Sequence, residues 1–253
     1  MKSFSNHLVA LSLATLSGIA GAAPAFTVTY EAPGVTDTTA AFTTKGVERF
    51  TTRQTGLNQS FTTTFGMTGS GAITGTYTNV DIANQNLYGG AEGNYALTST
   101  GSASSAIYSL SLSSADPVTY FGFWLSALDA GNQLKFFKGD ELVFSFSPDA
   151  VLALTGSCAT GTSNPYCGNP KTGENTPQPY VFLNFFDQDA SGFDRVEFSE
   201  TVANSGYESD NHTVGRYVTT SGTVLNPVPE PGSLSLLGLS AVALVAARKR
   251  KKR

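Results

Sequence analysis

An antiparallel β-sandwich of jelly-roll-like kind is the fold class that this sequence predicts, and three observations carry it. Thr, Ser, Gly and Asn dominate with Phe and Tyr interspersed, a composition that suits strands and turns better than helices. Short segments of alternating character recur along the chain with turn residues between them. Tyr120-Phe-Gly-Phe-Trp-Leu125 is a continuous aromatic run, as a central strand buried on both faces requires. Trp124, the one tryptophan, is expected in the core rather than as a sugar-stacking platform.

Met1 to Ala22 has a basic Lys2, an apolar core from Leu8 to Ala20 and a small-x-small site at Ala20-Gly21-Ala22, the pattern of a cleaved secretory signal peptide. The domain, residues 23–226, opens with a strand at Phe26 to Tyr30. Strands are expected within Phe42 to Thr52, Phe61 to Phe65, Ile73 to Val80 and Ile107 to Leu112, with Gly-rich turns at Gly66 to Gly75 and Gly89 to Gly93. Leu134 to Phe136 and Leu142 to Phe146 flank Lys138-Gly-Asp-Glu141 as a hairpin. Pro148 to Pro179 is a long proline-broken loop, with a short helix expected around Ala150 to Leu154. Strands resume at Tyr180 to Phe186, Phe193 to Phe198 and Val214 to Thr220. No fixed repeat period is visible, which excludes a solenoid or propeller.

Charge narrows the partners. The chain holds 15 basic and 19 acidic residues, yet Lys2 and six C-terminal cations lie outside residues 23–230. That leaves eight basic residues against all 19 acidic ones there, a net charge of −11. Nucleic acid is excluded as a partner, because phosphate backbones are bound by Lys and Arg. Neutral polysaccharide and divalent cations remain compatible. Cys158 and Cys167 enclose a loop of turn formers, and in an exported protein they are expected to form a disulfide.

The C-terminal segment, residues 227–253, has three parts in fixed order. Val228-Pro229-Glu230-Pro231 is helix-hostile because each proline locks φ and restricts its predecessor. Leu234 to Ala247 is an uncharged run of fourteen residues carrying Leu234, Leu236, Leu237, Leu239, Val242, Leu244 and Val245. As a helix it spans about 21 Å, a short membrane crossing against the usual length of about 20 residues. Arg248-Lys249-Arg250 and the three cations after them hold that end in the cytoplasm. A permanent tail anchor and a removable one both fit this physics.

These residues resemble the PEP-CTERM sorting signal of Gram-negative bacteria. That resemblance implies processing by exosortase, a membrane-embedded cysteine transpeptidase, and passage to the cell surface. The body also resembles one group of exosortase-dependent surface proteins. The likeness lies in Tyr120 to Asp129, in Asn184-Phe-Phe-Asp187 with Gly192 to Val196, and in Gly206 to Val214. No activity comes with it.

Candidate chemistry in the body is thin. Asp187, Asp189, Ser191 and Gly192 match the first half of a calcium loop, with Asp194 a further oxygen, but Phe198 stands where the closing carboxylate belongs. No cofactor is expected beyond such a structural calcium. Glu208, Asp210 and His212, spaced two apart, would face one way on a regular strand. A glycosidase pair normally comes from separate elements, so a strand end bonded to a neighbouring loop is the expected role. The Thr-x-Thr pieces (Thr27 and Thr29, Thr62 and Thr64, Thr74 and Thr76) form no regular ladder in the sequence, which weakens an ice-binding reading. The leading functional expectation is a non-catalytic exported surface or matrix protein associated with exopolysaccharide. A lectin-like module using Tyr166 or Tyr180, or a secreted hydrolase using Glu208 and Asp210, are the alternatives.

Overall fold

The computed structural model describes residues 26–225, except 66–67, 70, 102, 156–157 and 159–163. The expected signal peptide and the whole sorting segment, with its apolar run at Leu234 to Ala247, lie outside the described residues. Within them the protein is antiparallel β. The strands are β1 Phe26–Tyr30, β2 Ala41–Glu48, β3 Gly56–Thr63, β4 Thr68–Gly69, β5 Ile73–Ala83, β6 Tyr95–Ser99 and β7 Ile107–Ser114. After these come β8 Tyr120–Ser126, β9 Asn132–Lys138, β10 Glu141–Phe146, β11 Val181–Asp187, β12 Arg195–Glu200, β13 Gly206–Thr219 and β14 Thr223–Val224. A single short helix, α1 Asp149–Thr155, stands at the head of the long loop where the sequence predicts one.

Hydrogen bonding runs without a break through all 14 strands, in the order β10-β9-β12-β7-β5-β6-β13-β8-β11-β1-β14. β3 adds to β5, and β2 to β13 with β4 beyond it. Two long strands make the sheet turn over on itself. The first half of β5 pairs with β7 and its end, Asp81 to Ala83, with β6. Likewise β13 pairs with β6 at Gly206 to Ser209 and with β2 from His212 onward, while β8 runs along its other edge. The curled sheet thus brings distant strands face to face across one aromatic core. Phe136 of β9 meets Phe185 of β11 with ring centroids 5.2 Å apart, and Phe121 of β8 meets Phe198 of β12 at 5.9 Å. At the two ends of the path, Phe26 of β1 stacks on Phe144 of β10 at 4.6 Å.

The aromatic run is central, as its composition requires. Every residue of β8 and of β11 is buried. Phe121, Phe123 and Leu125 face the main core, while Trp124 turns to a second cluster with Ala91, Ala127, Tyr180 and Phe182. Gly122 is required here, since a Cβ would lie 2.1 Å from the Tyr120 hydroxyl and 2.9 Å from the Phe182 ring. That hydroxyl donates to Asn184 Oδ1 at 2.6 Å, so the missing side chain makes room for a buried hydrogen bond.

The predicted hairpin is β9–β10, closed at Lys138 and Glu141. Its first turn residue, Gly139, has φ 59°, the left-handed region that glycine enters freely. Several elements differ from expectation: β4 lies within the expected Gly-rich turn, β14 follows the last expected strand, and β3 starts early, at Gly56. β6 has no counterpart in the sequence reading, because its five residues carry almost no alternation. β13 begins eight residues before Val214, through the polar stretch Gly206 to Thr213. Those polar side chains lie in a strand because the fold supplies their partners.

Candidate functional site

That polar stretch of β13 carries Glu208, Asp210 and His212. A regular strand would point Glu208, Asp210 and His212 to one side. Instead the pairing with β8 slips between Asp210 and Thr213, and Asn211 takes φ 49°. Such a bulge inserts a residue and reverses the facing of the residues beyond it. The expected common face is therefore corrected. His212 enters the main core, whereas Asp210 turns to the opposite side and binds a loop.

Asp210 Oδ2 accepts from the backbone N–H groups of Ala91 at 2.7 Å and Glu92 at 3.2 Å, and Oδ1 accepts from Asn211 N–H at 2.7 Å. It fastens the Gly-rich loop before β6 onto the sheet. Burial pushes its carboxyl up to about 7, against the lowering effect of these donors. Glu208 sits opposite Ser126 and Leu97 in the two neighbouring strands. Burial pushes it up to about 8, with Asp129 and Glu200 adding repulsion.

His212 is walled in by rings. Phe198 lies parallel to it at 5.0 Å, and Phe50 meets it edge-on at 4.9 Å. Its Nδ1 is 3.0 Å from the Tyr77 hydroxyl and its Nε2 3.0 Å from Ser209 Oγ. Ser209 Oγ in turn is 2.8 Å from the Tyr108 hydroxyl. Burial alone drives the imidazole down to about 3, so it is neutral in the folded chain near pH 7. A serine next to a histidine has the makings of a nucleophile and base. Here Ser209 and His212 are both fully buried, and the pair binds strand to strand.

The calcium candidates are spread over two hydrogen-bonded turns. Asp187, 1% exposed, accepts from Asp189 N–H at 3.1 Å and from Gly192 N–H at 2.7 Å. Ser191 Oγ is 3.4 Å from the same carboxylate. Asp194 turns to the β9–β10 hairpin, where Gly139 N–H lies 3.0 and 2.9 Å from its two oxygens. Among the described residues no three of His, Cys, Asp and Glu are grouped to hold a metal.

Of the two tyrosines offered as a sugar platform, Tyr180 is corrected. It is buried beneath the loop, with its hydroxyl donating to Leu87 O at 2.8 Å and accepting from Asn175 Nδ2 at 2.7 Å. Tyr166 is partly covered, its ring edge-on to Tyr30 and its hydroxyl 3.2 Å from Glu31 O. Sequence reasoning passes over Glu31 itself. This buried carboxylate accepts from Asn184 Nδ2 at 3.1 Å, Thr39 N–H at 3.1 Å and Ser221 Oγ at 2.6 Å, joining β1, β11 and the segment before β14.

The C-terminal segment carries the identification. Residues 227–251 match the family model of the PEP-CTERM protein-sorting motif. The chain carries a PEP-CTERM protein-sorting signal. The matched span contains Val228-Pro229-Glu230-Pro231, the whole apolar run and Arg248, Lys249 and Arg250. The PEP-CTERM protein is thus an exosortase-dependent protein, exported and sorted to the cell surface. No curated protein and no solved structure matches the chain. Among the described residues, no helix is long and apolar enough to cross a membrane.

The PEP-CTERM protein has the disulfide that its two cysteines imply: Cys158 and Cys167 are bonded, with Cα atoms 5.5 Å apart. Neither is then a free thiol. Glu208 yields a test of the buried face. In the unfolded chain its carboxyl ionises near pH 4.5, in the folded chain at about 8, so its contribution to stability is lost as pH rises between these values. Glu208→Gln is expected to raise the urea midpoint at pH 9 and to change it little at pH 4. An equal effect at both pH values would place the carboxyl in water.

Proposed function

We propose that the body, residues 23–226, is a non-catalytic surface or matrix module, exported through the signal peptide of residues 1–22 and deposited with exopolysaccharide. The observation that carries this reading is the sorting motif at residues 227–251, joined to an acidic, cation-poor body. The engagement of Asp210 and His212 inside the fold supports the non-catalytic part. The curled sheet is read as a jelly-roll-like sandwich whose two layers stay linked through β5 and β13.

The route has one membrane-bound stage. Export places the body outside the inner membrane, while Arg248 to Arg253 stay in the cytoplasm because moving six cations through lipid is costly. Leu234 to Ala247 then hold the chain at the outer face, with Pro229-Glu230-Pro231 just above the bilayer. Two prolines keep that segment extended, and Glu230 offers its one charge as a handle for a basic pocket. Glu230→Ala is expected to accumulate full-length chain in the inner-membrane fraction. Fractionation that finds the variant at the surface in wild-type amount would overturn this route.

A further inference from the structure

The outer side of β3, β5 and β7 is unlike the rest of the acidic body. Along β5 the inward residues Ile73, Gly75 and Tyr77 alternate with Thr74, Thr76 and Thr78, which turn outward. β7 alternates likewise, with Tyr108, Leu110 and Leu112 inside. Register aligns the outward residues in rows: Thr62–Thr76–Ser111, then Thr74–Ser113, then Thr78–Ser109. Thr62 and Thr76 are within 3.4 Å of each other through their hydroxyls. Of the Thr-x-Thr pieces, Thr62 is thus set beside Thr76 with Thr74 in the next row, on strands about 4.8 Å apart with about 6.8 Å between outward positions, while Thr27 and Thr29 lie away from the grid on β1. Thr62, Thr76, Thr78, Ser111 and Ser113 are exposed. The single ionisable acid or base of these three strands, Asp81, is 2% exposed and accepts from Asn58 N–H at 2.7 Å.

We infer that this hydroxyl grid is the surface by which the protein contacts a neutral polysaccharide. The inference rests on the exopolysaccharide reading above and names the face that serves it. Each hydroxyl both donates and accepts, as the hydroxyls of a sugar do. One such bond is weak because each partner gives up a bond to water, so a grid of them suits an extended polymer that engages several at once. The rows run on into β12, where Arg195 lies opposite Ser111 and Glu197 opposite Ser109, but these two charges pair with each other at 3.3 Å, and the net charge of −11 over residues 23–230 repels an anionic polymer.

The test is co-sedimentation of the full-length protein with microcrystalline cellulose and with chitin, beside soluble anionic alginate. Thr76→Lys/Ser111→Lys places two long cations in the central row. Thr76→Val/Ser111→Ala removes the hydroxyls and keeps strand-compatible side chains, and Thr220→Lys is the exposed control just past the end of β13. Circular dichroism melts confirm that the variants fold. The wild type and Thr220→Lys are expected to sediment with a neutral glycan, and both double variants to bind about tenfold more weakly. If all variants bind alike, polysaccharide association stands but this face is not its site. If the wild type binds neither neutral glycan, the inference fails, and co-fractionation with the cell's own exopolysaccharide judges the wider reading separately. A wild-type dimer in sedimentation velocity that the double variants dissolve would make the face an interface between copies. Retention on ice in place of glycan would also overturn the inference.

Discussion

Truncating Trp124 to alanine lowers the stability of the body by about 3–5 kcal/mol. Its ring is 1% exposed, lies beside Tyr180 at 6.3 Å between centroids, and sits opposite Phe182 on the neighbouring strand. The loss combines the transfer of a large apolar surface with a cavity that β8, hydrogen-bonded on both edges, cannot collapse to fill. Because this is the one tryptophan, unfolding in urea must be followed by circular dichroism rather than fluorescence. A loss below about 1 kcal/mol would mean an exposed ring and return Trp124 to the role of sugar platform.

Acidification gives the second large effect. His212 has a folded value of about 3, below the ordinary imidazole value of 6.5. The unfolded chain therefore takes up the proton first. The stability that His212 contributes is complete above pH 6.5 and is lost as pH falls toward 3, by about 4–5 kcal/mol at most. Glu208 and Asp210 act with the opposite sign. Their folded values of about 8 and about 7 exceed the unfolded ones, so their contribution is complete below about pH 4 and is lost as pH rises through those values. From these three groups, urea midpoints between pH 3 and 9 should peak near about pH 4, with the larger fall on the alkaline side. A steady rise from pH 4 to 9 would contradict the raised values of the two acids. A midpoint that keeps climbing as pH falls to 3 would contradict the lowered value of His212.

The parts of the fold legible in the sequence are those written in contiguous residues. The aromatic run of β8 reads as a central strand because no alternation is needed when both faces are covered. The β9–β10 hairpin reads from its Gly-Asp turn, and the disulfide from two cysteines around a turn-rich loop. β6 is invisible because five residues without alternation carry no periodic signal. The facing of Asp210 and His212 is misread because a one-residue bulge at Asn211 leaves no mark in a spacing argument. Tyr180 looks available because a proline-broken loop reads as open, whereas here the chain folds back and gives its hydroxyl two partners. The hydroxyl rows depend on registers between β3, β5 and β7 that only the assembled sheet sets.

The sorting tail is legible for the opposite reason. Its extended proline segment, apolar run and basic end act in linear order, so their meaning does not wait on tertiary structure. The most direct test is therefore the intact mass of the protein released from the cell surface. The expected chain ends near Pro229 to Gly232, without Arg248, Lys249 and Arg250. A mass that retains Arg253 would contradict exosortase processing and leave a permanent tail anchor.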